Sequence, residues 1–160
     1  MKKILSTLLV LAFSFAALAQ QSIDLGAFWQ RYEFYAGGIS GLRSMNDGGH
    51  YTAQENDNIE KYSYTSGEKV ATLWSTSAHK EVGPFGDYSL NADEKMALLE
   101  TETESIYRYS SRSIVWIADL EAGSAKKLRE EKVRYATFSP NGAYVAYVFG
   151  NDLYSYDIEN

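Results

Sequence analysis

The sequence predicts an all-β fold, an incomplete β-propeller of about three blade units that follows a signal peptide. Three observations predict it. A turn-and-strand pattern recurs at near-regular spacing, a hairpin follows each copy, and aromatic residues abundant in β-structure are frequent, with 13 Tyr, 7 Phe and 3 Trp in 160 residues. A period of about 40–50 residues is typical of propeller blades.

The first nineteen residues have the layout of a cleavable secretory signal. Two lysines precede an apolar run from Ile4 to Ala19, which ends in an A-x-A pattern of small residues. A membrane-spanning helix needs about 20 predominantly apolar residues, and this shorter run contains Ser and Thr, so an uncleaved anchor is disfavoured. We predict a signal peptide at 1–19 and the N-terminal part of a propeller domain at 20–160. We expect an exported protein, periplasmic or extracellular.

The composition of the chain limits the partners that it can bind and the chemistry that its side chains can perform. The chain has 15 basic and 21 acidic residues and a formal net charge of −6, which disfavours binding to nucleic acid. It has no cysteine, which excludes disulfides, thiolate metal sites and a cysteine nucleophile. His50 and His79 stand alone in the sequence, with no acidic residue at ligand spacing, so a structural or solvent-facing role is favoured over a metal site. We expect no metal and no cofactor.

The first element after the signal is short. The stretch "DLGAFWQRY", Asp24 to Tyr32, has a weak helical pattern. It predicts one or two helical turns before the first blade.

The turn-and-strand pattern occurs three times, as "RSMNDGGHYTAQEN", "YSLNADEKMALLET" and "TFSPNGAYVAYV". Each copy has a polar turn of Asn, Asp or Gly type, which tolerates positive φ, and then a strand. Aligned on Ser44, Ser89 and Ser139, the copies lie 45 and 50 residues apart.

An outer hairpin follows each copy. "IEKYSYTSGEKVATL" (59–73) aligns with "IVWIADLEAGSAKKL" (114–128), with Gly67 and Gly123 in the two turns, and "DLYSYDIEN" (152–160) begins a third. Alternation in "AYVAYV" predicts a strand packed on both of its faces. An open β-sandwich is the weaker alternative. Because propellers close with about 4–8 blades, we expect these residues to be the beginning of a longer protein.

Catalytic apparatus is scarce in the sequence. Ser40 lies near glycines but not in a G-x-S-x-G elbow, and no Asp and His complete a triad with it. In "ETETE", alternation puts Glu100, Glu102 and Glu104 on one face of an extended strand, as a trap for a cationic amine or, more in keeping with a propeller, as a charged strand edge.

One insertion stands out as a candidate binding element. "SIYRYSSRS" (105–113) lengthens the second unit between its inner and outer parts, and we interpret it as a loop that projects from a rigid scaffold. Arg108, between Tyr107 and Tyr109, offers a charged fork for a carbonyl or carboxylate oxygen. From the spacing alone, an ordinary surface arginine is the alternative.

At these residues the sequence resembles a family, the N-terminal β-propeller region of dipeptidyl peptidase IV-like serine peptidases in the prolyl oligopeptidase group. The resemblance is carried by "GLRSMNDGGHYT", "KYSYTSGEKVATL", "LLETETESIYRYS" and "VRYATFSPNGAYVAYVFGNDLY". It implies an eight-bladed propeller that caps an α/β-hydrolase domain. It also implies an exopeptidase that removes N-terminal dipeptides with Pro or Ala second, and assigns substrate binding to Arg108.

Other parts of that family's machinery have no counterpart in these residues. Nothing matches its pair of adjacent glutamates or its Ser, Asp and His triad, so we expect the chain to be inactive alone. A peptide substrate is the expected partner, and dimerisation is left open. The alternative function is that of a non-enzymatic periplasmic propeller, similar to TolB, that binds protein partners.

Overall fold

The computed structural model describes residues 24–36, 38–39 and 41–158 of the chain. They fall into two compact units, which divide between Gly38 and Ile39. The predicted signal peptide at 1–19 lies outside the described residues. The start of the propeller domain at residue 20 therefore stays a prediction.

The described residues of the first unit contain one short helix, α1 (Leu25–Trp29). Asp24 has an extended backbone and caps the helix, because its side chain accepts a hydrogen bond of 2.5 Å from the Ala27 amide. Ala27 is the buried residue of this helix. The prediction of helical turns in this stretch is confirmed.

Over its described residues, the second unit has eleven strands in three antiparallel sheets, each a meander in chain order. The first sheet comprises β1 (Arg43–Ser44), β2 (His50–Glu55), β3 (Asn58–Ser63) and β4 (Lys69–Ser75). The second comprises β5 (Phe85–Leu90), β6 (Met96–Tyr107), β7 (Ser110–Asp119) and β8 (Ser124–Lys127). The third comprises β9 (Arg134–Phe138), β10 (Tyr144–Phe149) and β11 (Asp152–Asp157).

The first turn of each sheet has the same hydrogen bonds, which fixes the register of the repeat. The amides of Met45, Asn91 and Ser139 donate to the carbonyl five residues on, at 3.0, 3.0 and 2.8 Å. These residues, 46 and 48 apart, are the equivalent positions. Of the three serines aligned in the sequence, only Ser139 occupies this position. Ser44 lies one residue before the equivalent Met45, and Ser89 lies two residues before the equivalent Asn91. The presence of a serine therefore does not fix the register of the turn.

The outer hairpins agree with the sequence alignment. The Gly67 amide donates to the Ser63 carbonyl at 2.9 Å, and the Gly123 amide to the Asp119 carbonyl at 3.0 Å. Both glycines have positive φ, +69° and +62°. β11 is the strand predicted to begin the third hairpin.

The second sheet is packed on both faces. Ala97 and Leu99 of β6 belong to the core shared with the first sheet, whereas Leu98 between them belongs to the core shared with the third. All three are at most 1% exposed. This alternation buries a strand between two sheets, as in a propeller blade. In β10, Val145 is fully buried on the inner face, whereas Tyr144 on the other face is 44% exposed.

A polar contact links the first two sheets inside their shared core. The hydroxyl group of Tyr88, a residue 1% exposed, lies 2.7 Å from the carbonyl oxygen of Gly41 and 2.7 Å from Oγ1 of Thr52. Since the carbonyl can only accept, the Tyr88 hydroxyl donates to it and accepts from Thr52. Burial raises the pKa of Tyr88. The sheets are consecutive propeller blades, and the ring is not closed within the described residues.

Candidate functional site

The topology places three turns at one end of the blades. Each sheet is an antiparallel meander, so the β2–β3, β6–β7 and β10–β11 turns share one end and the first turns of the sheets share the other. The connections from β4 to β5 and from β8 to β9 lie at the end that holds the β2–β3, β6–β7 and β10–β11 turns. Arg108 and Tyr109 form the β6–β7 turn and therefore lie at the same end of the blades as the β2–β3 and β10–β11 turns.

The segment interpreted as an inserted loop is an extended β-hairpin. β6 has 12 residues and β7 has 10, against 6 each in β2 and β3. Pairing continues to Tyr107 opposite Ser110, leaving a two-residue turn. We call residues 102–112 the Arg108 hairpin. The loop interpretation was wrong because strand pairing continues through polar residues, which do not give the apolar alternation of a half-buried strand.

Two bulges separate this hairpin from the regular blade. Thr101 pairs with Ile114 and Glu104 with Arg112, so between these pairs β6 has one residue more than β7. A second extra residue of β6 lies between Ser105 and Tyr107. Glu102 has a φ of +50° in the first bulge. Bulges bend a strand and increase its twist, so they redirect the hairpin away from the plane of the blade. They also break the predicted alternation that would have placed Glu100, Glu102 and Glu104 on one face.

Arg108 lies at the exposed tip. Tyr107 and Tyr109 on either side are 80% and 90% exposed. Among the described residues, the guanidinium group of Arg108 has no hydrogen-bond or ion-pair partner. A guanidinium carries five N–H donors in a planar fork, and those of Arg108 are available to a ligand.

The root of the hairpin is held by a buried hydroxyl group. Ser113, 2% exposed, donates from Oγ to Oε2 of Glu100 at 2.9 Å and accepts from Oγ1 of Thr103 at 2.9 Å. Its backbone pairs with Val133, with amide-to-carbonyl distances of 3.0 and 2.9 Å. The chain segment that leads into the third blade is thereby fixed to the hairpin root.

A cluster of charged side chains surrounds the stem of the hairpin. Glu104 accepts a hydrogen bond from Nε of Arg112 at 2.9 Å and one from Nζ of Lys132 at 2.7 Å. Lys132 also lies 4.0 Å from Glu102. We call these four residues the brace. The hydrogen bond from Lys132, followed by that from Arg112, lowers the pKa of Glu104. The idea of three carboxylates as a cation trap is therefore wrong, since Glu102 and Glu104 already face cations.

A groove lies between the hairpin and the β10–β11 turn. Its volume is about 370 Å³. It is lined by apolar and cationic side chains together with the turn: Ile106, Arg112, Lys132, Arg134, Val148, Phe149, Gly150 and Asn151. Arg134 also donates to the carbonyl of Gly150, which ties the start of the third blade to this turn.

The two histidines are not solitary. Nδ1 of His50 lies 2.6 Å from Oδ2 of Asp47, and this hydrogen bond is the main cause that lowers the pKa of Asp47 to about 2. The His79 ring stacks on Trp74 at 4.0 Å and lies 3.5 Å from Glu81. Over the described part of the chain, no three His, Asp or Glu side chains form a group that could hold a metal ion.

Three successive antiparallel meanders, of which the middle one packs against a neighbour on each face, are typical of the blades of a β-propeller rather than of a two-sheet sandwich. The family model for the "Dipeptidyl peptidase IV (DPP IV) N-terminal region" matches residues 91–160. Human prolyl endopeptidase FAP is 31% identical over 140 residues, which is 86% of this chain and 17% of the relative. The crystal structure of Porphyromonas gingivalis dipeptidyl peptidase 4 matches with a TM-score of 0.73 and 34% identity, over 88% of this chain and 21% of that one. The chain belongs to the dipeptidyl peptidase IV family, in its N-terminal region.

The chain spans about a fifth or less of the length of these two relatives. TolB of Acinetobacter baumannii, the type of propeller considered as the alternative, matches at 15% identity with a TM-score of 0.47 over 77% of this chain. That similarity is too low to support the binding-scaffold alternative.

Proposed function

We propose that the chain is the N-terminal propeller part of a secreted dipeptidyl peptidase IV-like serine exopeptidase. The enzyme removes dipeptides with Pro or Ala second from the N-termini of peptides. This part contributes a substrate-contacting arginine, Arg108, and part of the wall that limits access, and it is not catalytic alone. A signal peptide at 1–19 directs the protein to the periplasm or the exterior, and the propeller begins at residue 20.

The observation that carries this proposal is the position of Arg108. It is a cation without a partner among the described residues, at the tip of a paired hairpin, in a chain similar to P. gingivalis dipeptidyl peptidase 4 over 88% of its length. A surface arginine on a flexible loop would lose much conformational entropy on binding a peptide. A two-residue turn between paired strands removes most of that freedom in advance.

The chemistry of Arg108 suits a peptide backbone. Carbonyl oxygens of a bound peptide accept hydrogen bonds, and a guanidinium group donates two in parallel. Tyr107 and Tyr109 add exposed rings beside the charge, which exclude water from one side when a ligand covers them. A scaffold that only packs against other proteins has no need of this arrangement. In the part of the chain that the structure describes, no helix is long and apolar enough to cross a membrane.

The test is the substitution Arg108→Ala in the protein produced from its complete gene. With a chromogenic amide of an Ala-Pro dipeptide, we expect kcat/KM to fall by at least about tenfold, since one charge-assisted hydrogen bond is lost. Arg108→Lys keeps the charge without the planar fork and should recover only part of the loss. Lys80→Ala is the matched control, because Lys80 is an exposed cation on the connection at the same end of the blades.

Two outcomes contradict the proposal. Unchanged kinetics in Arg108→Ala would remove Arg108 from the substrate site. A complete gene product that cleaves no N-terminal dipeptide from any peptide would remove the exopeptidase activity itself.

A further inference from the structure

Arg108 has a defined position only if its hairpin has one, and the hairpin extends beyond the packed blade. Past the first bulge, the side chains of the hairpin are exposed up to the tip. A two-stranded ribbon alone is marginally stable in water. Its direction therefore depends on contacts made at its stem.

One residue of the brace, Lys132, supplies such a contact from outside the hairpin. Glu104 lies on β6 and Arg112 on β7, so their ion pair joins the two strands of the ribbon to each other. Lys132 differs from them, because it belongs to the connection between β8 and β9. Its hydrogen bond of 2.7 Å to Glu104 joins the ribbon to the next blade.

Lys132 is itself held in place. Its neighbour Val133 is 2% exposed and pairs with Ser113 through two backbone hydrogen bonds. The side chain of Lys132 is only 21% exposed, whereas that of Arg112 is 56% exposed. Because the backbone beside Lys132 is fixed and its side chain is mostly buried, Lys132 loses less conformational entropy in its ion pair than a typical surface lysine.

We infer that Lys132 is a positioning residue for Arg108, because it fixes the direction of the Arg108 hairpin through Glu104. This inference rests on the proposed function, in which Arg108 contacts the peptide. Without Lys132 the hairpin samples other directions, and only a fraction of molecules hold Arg108 where the peptide binds. Apparent affinity falls in proportion to that fraction.

The first experiment measures the hairpin without any substrate. Hydrogen–deuterium exchange is compared in Lys132→Met and the native protein, both produced from the complete gene. We expect the peptide covering residues 103–112 to exchange about two- to fivefold faster, the range that the loss of one partly exposed ion pair allows. Lys95→Met is the matched control, because Lys95 pairs with Glu121 at 3.0 Å at the other end of the same blade. It should leave the exchange of 103–112 unchanged.

The second experiment measures kinetics with the Ala-Pro amide. We expect Lys132→Met to raise KM about two- to fivefold with kcat unchanged, and Lys132→Arg to restore most of the native KM. In an Arg108→Ala background, Lys132→Met should have no further effect on KM, because the group it positions is gone.

The outcomes separate this inference from the proposed function. Unchanged exchange of 103–112 in Lys132→Met overturns the inference, as does a KM effect that persists in the Arg108→Ala background. If Lys132→Met speeds the exchange of 103–112 but Arg108→Ala leaves kcat/KM unchanged, the substrate role of Arg108 is overturned instead.

Discussion

Replacing Tyr88 by Phe tests how the first two blades are joined. The change removes only the hydroxyl group, so the ring keeps its place in the core. The Tyr88 hydroxyl donates to the Gly41 carbonyl and accepts from Thr52, both at 2.7 Å. Thr52 is fully buried, so its hydroxyl group loses its partner with no access to water. A buried polar group left unpaired costs about 1–3 kcal/mol, and we expect Tyr88→Phe to lower the free energy of unfolding by about 2–3 kcal/mol.

Urea denaturation followed by circular dichroism measures this loss. The double variant Thr52→Val with Tyr88→Phe removes both hydroxyl groups. It should therefore be destabilised by less than the sum of the two single variants, with a coupling of about 1 kcal/mol or more. A loss below about 0.5 kcal/mol in Tyr88→Phe, or strict additivity in the double variant, would refute the reasoning, since either would mean that the hydroxyl groups are hydrated in the folded protein.

Two further predictions concern single positions. Gly41 has a φ of +60°, and a Cβ there would lie 2.9 Å from Cβ of Gln54, so Gly41→Ala should cost about 2–4 kcal/mol in urea denaturation. Gly67→Ala, at a φ of +69° with open space around it, should cost only about 1 kcal/mol. A carbon-13 NMR titration of the Asp47 carboxyl group should give a pKa of about 2, and His50→Ala should raise it towards 3.8. Because the folded pKa is the lower one, Asp47 stabilises the protein above pH 4 and this stabilisation is lost as the pH falls through 2; equal pKa values in both proteins would contradict the contact.

The blades could be predicted from the sequence because their signals are local. A polar turn followed by an alternating strand needs only neighbouring residues, so the three sheets and the glycine turns at Gly67 and Gly123 agree with the pattern. The register of the repeat was harder to predict from the sequence. Ser44, Ser89 and Ser139 look equivalent in the sequence, but the backbone hydrogen bonds that define the turn involve other positions in two of the three blades.

The candidate site was only partly predictable. Arg108 was identified from its aromatic neighbours and from the resemblance, and its contact with substrate stays a prediction. The hairpin that carries it was missed, because polar strands lack a hydrophobic period. Lys132 was missed as well, since it lies 28 residues from Glu104 in the chain and no local pattern links them. The Ser113–Val133 pairing, which is non-local, brings the segment that contains Lys132 beside the hairpin.

The contiguity of the sheets has a consequence for how the protein is made. Among the described residues, 43–75 form the first sheet, 85–127 the second and 134–157 the third, so each of these strands pairs with strands next to it in the chain. Each sheet can form as soon as its segment leaves the ribosome, and its apolar face can then pack against the next sheet. Assembly from the N-terminus onward is therefore built into the order of the strands, and it limits the time for which any strand edge is exposed to other chains.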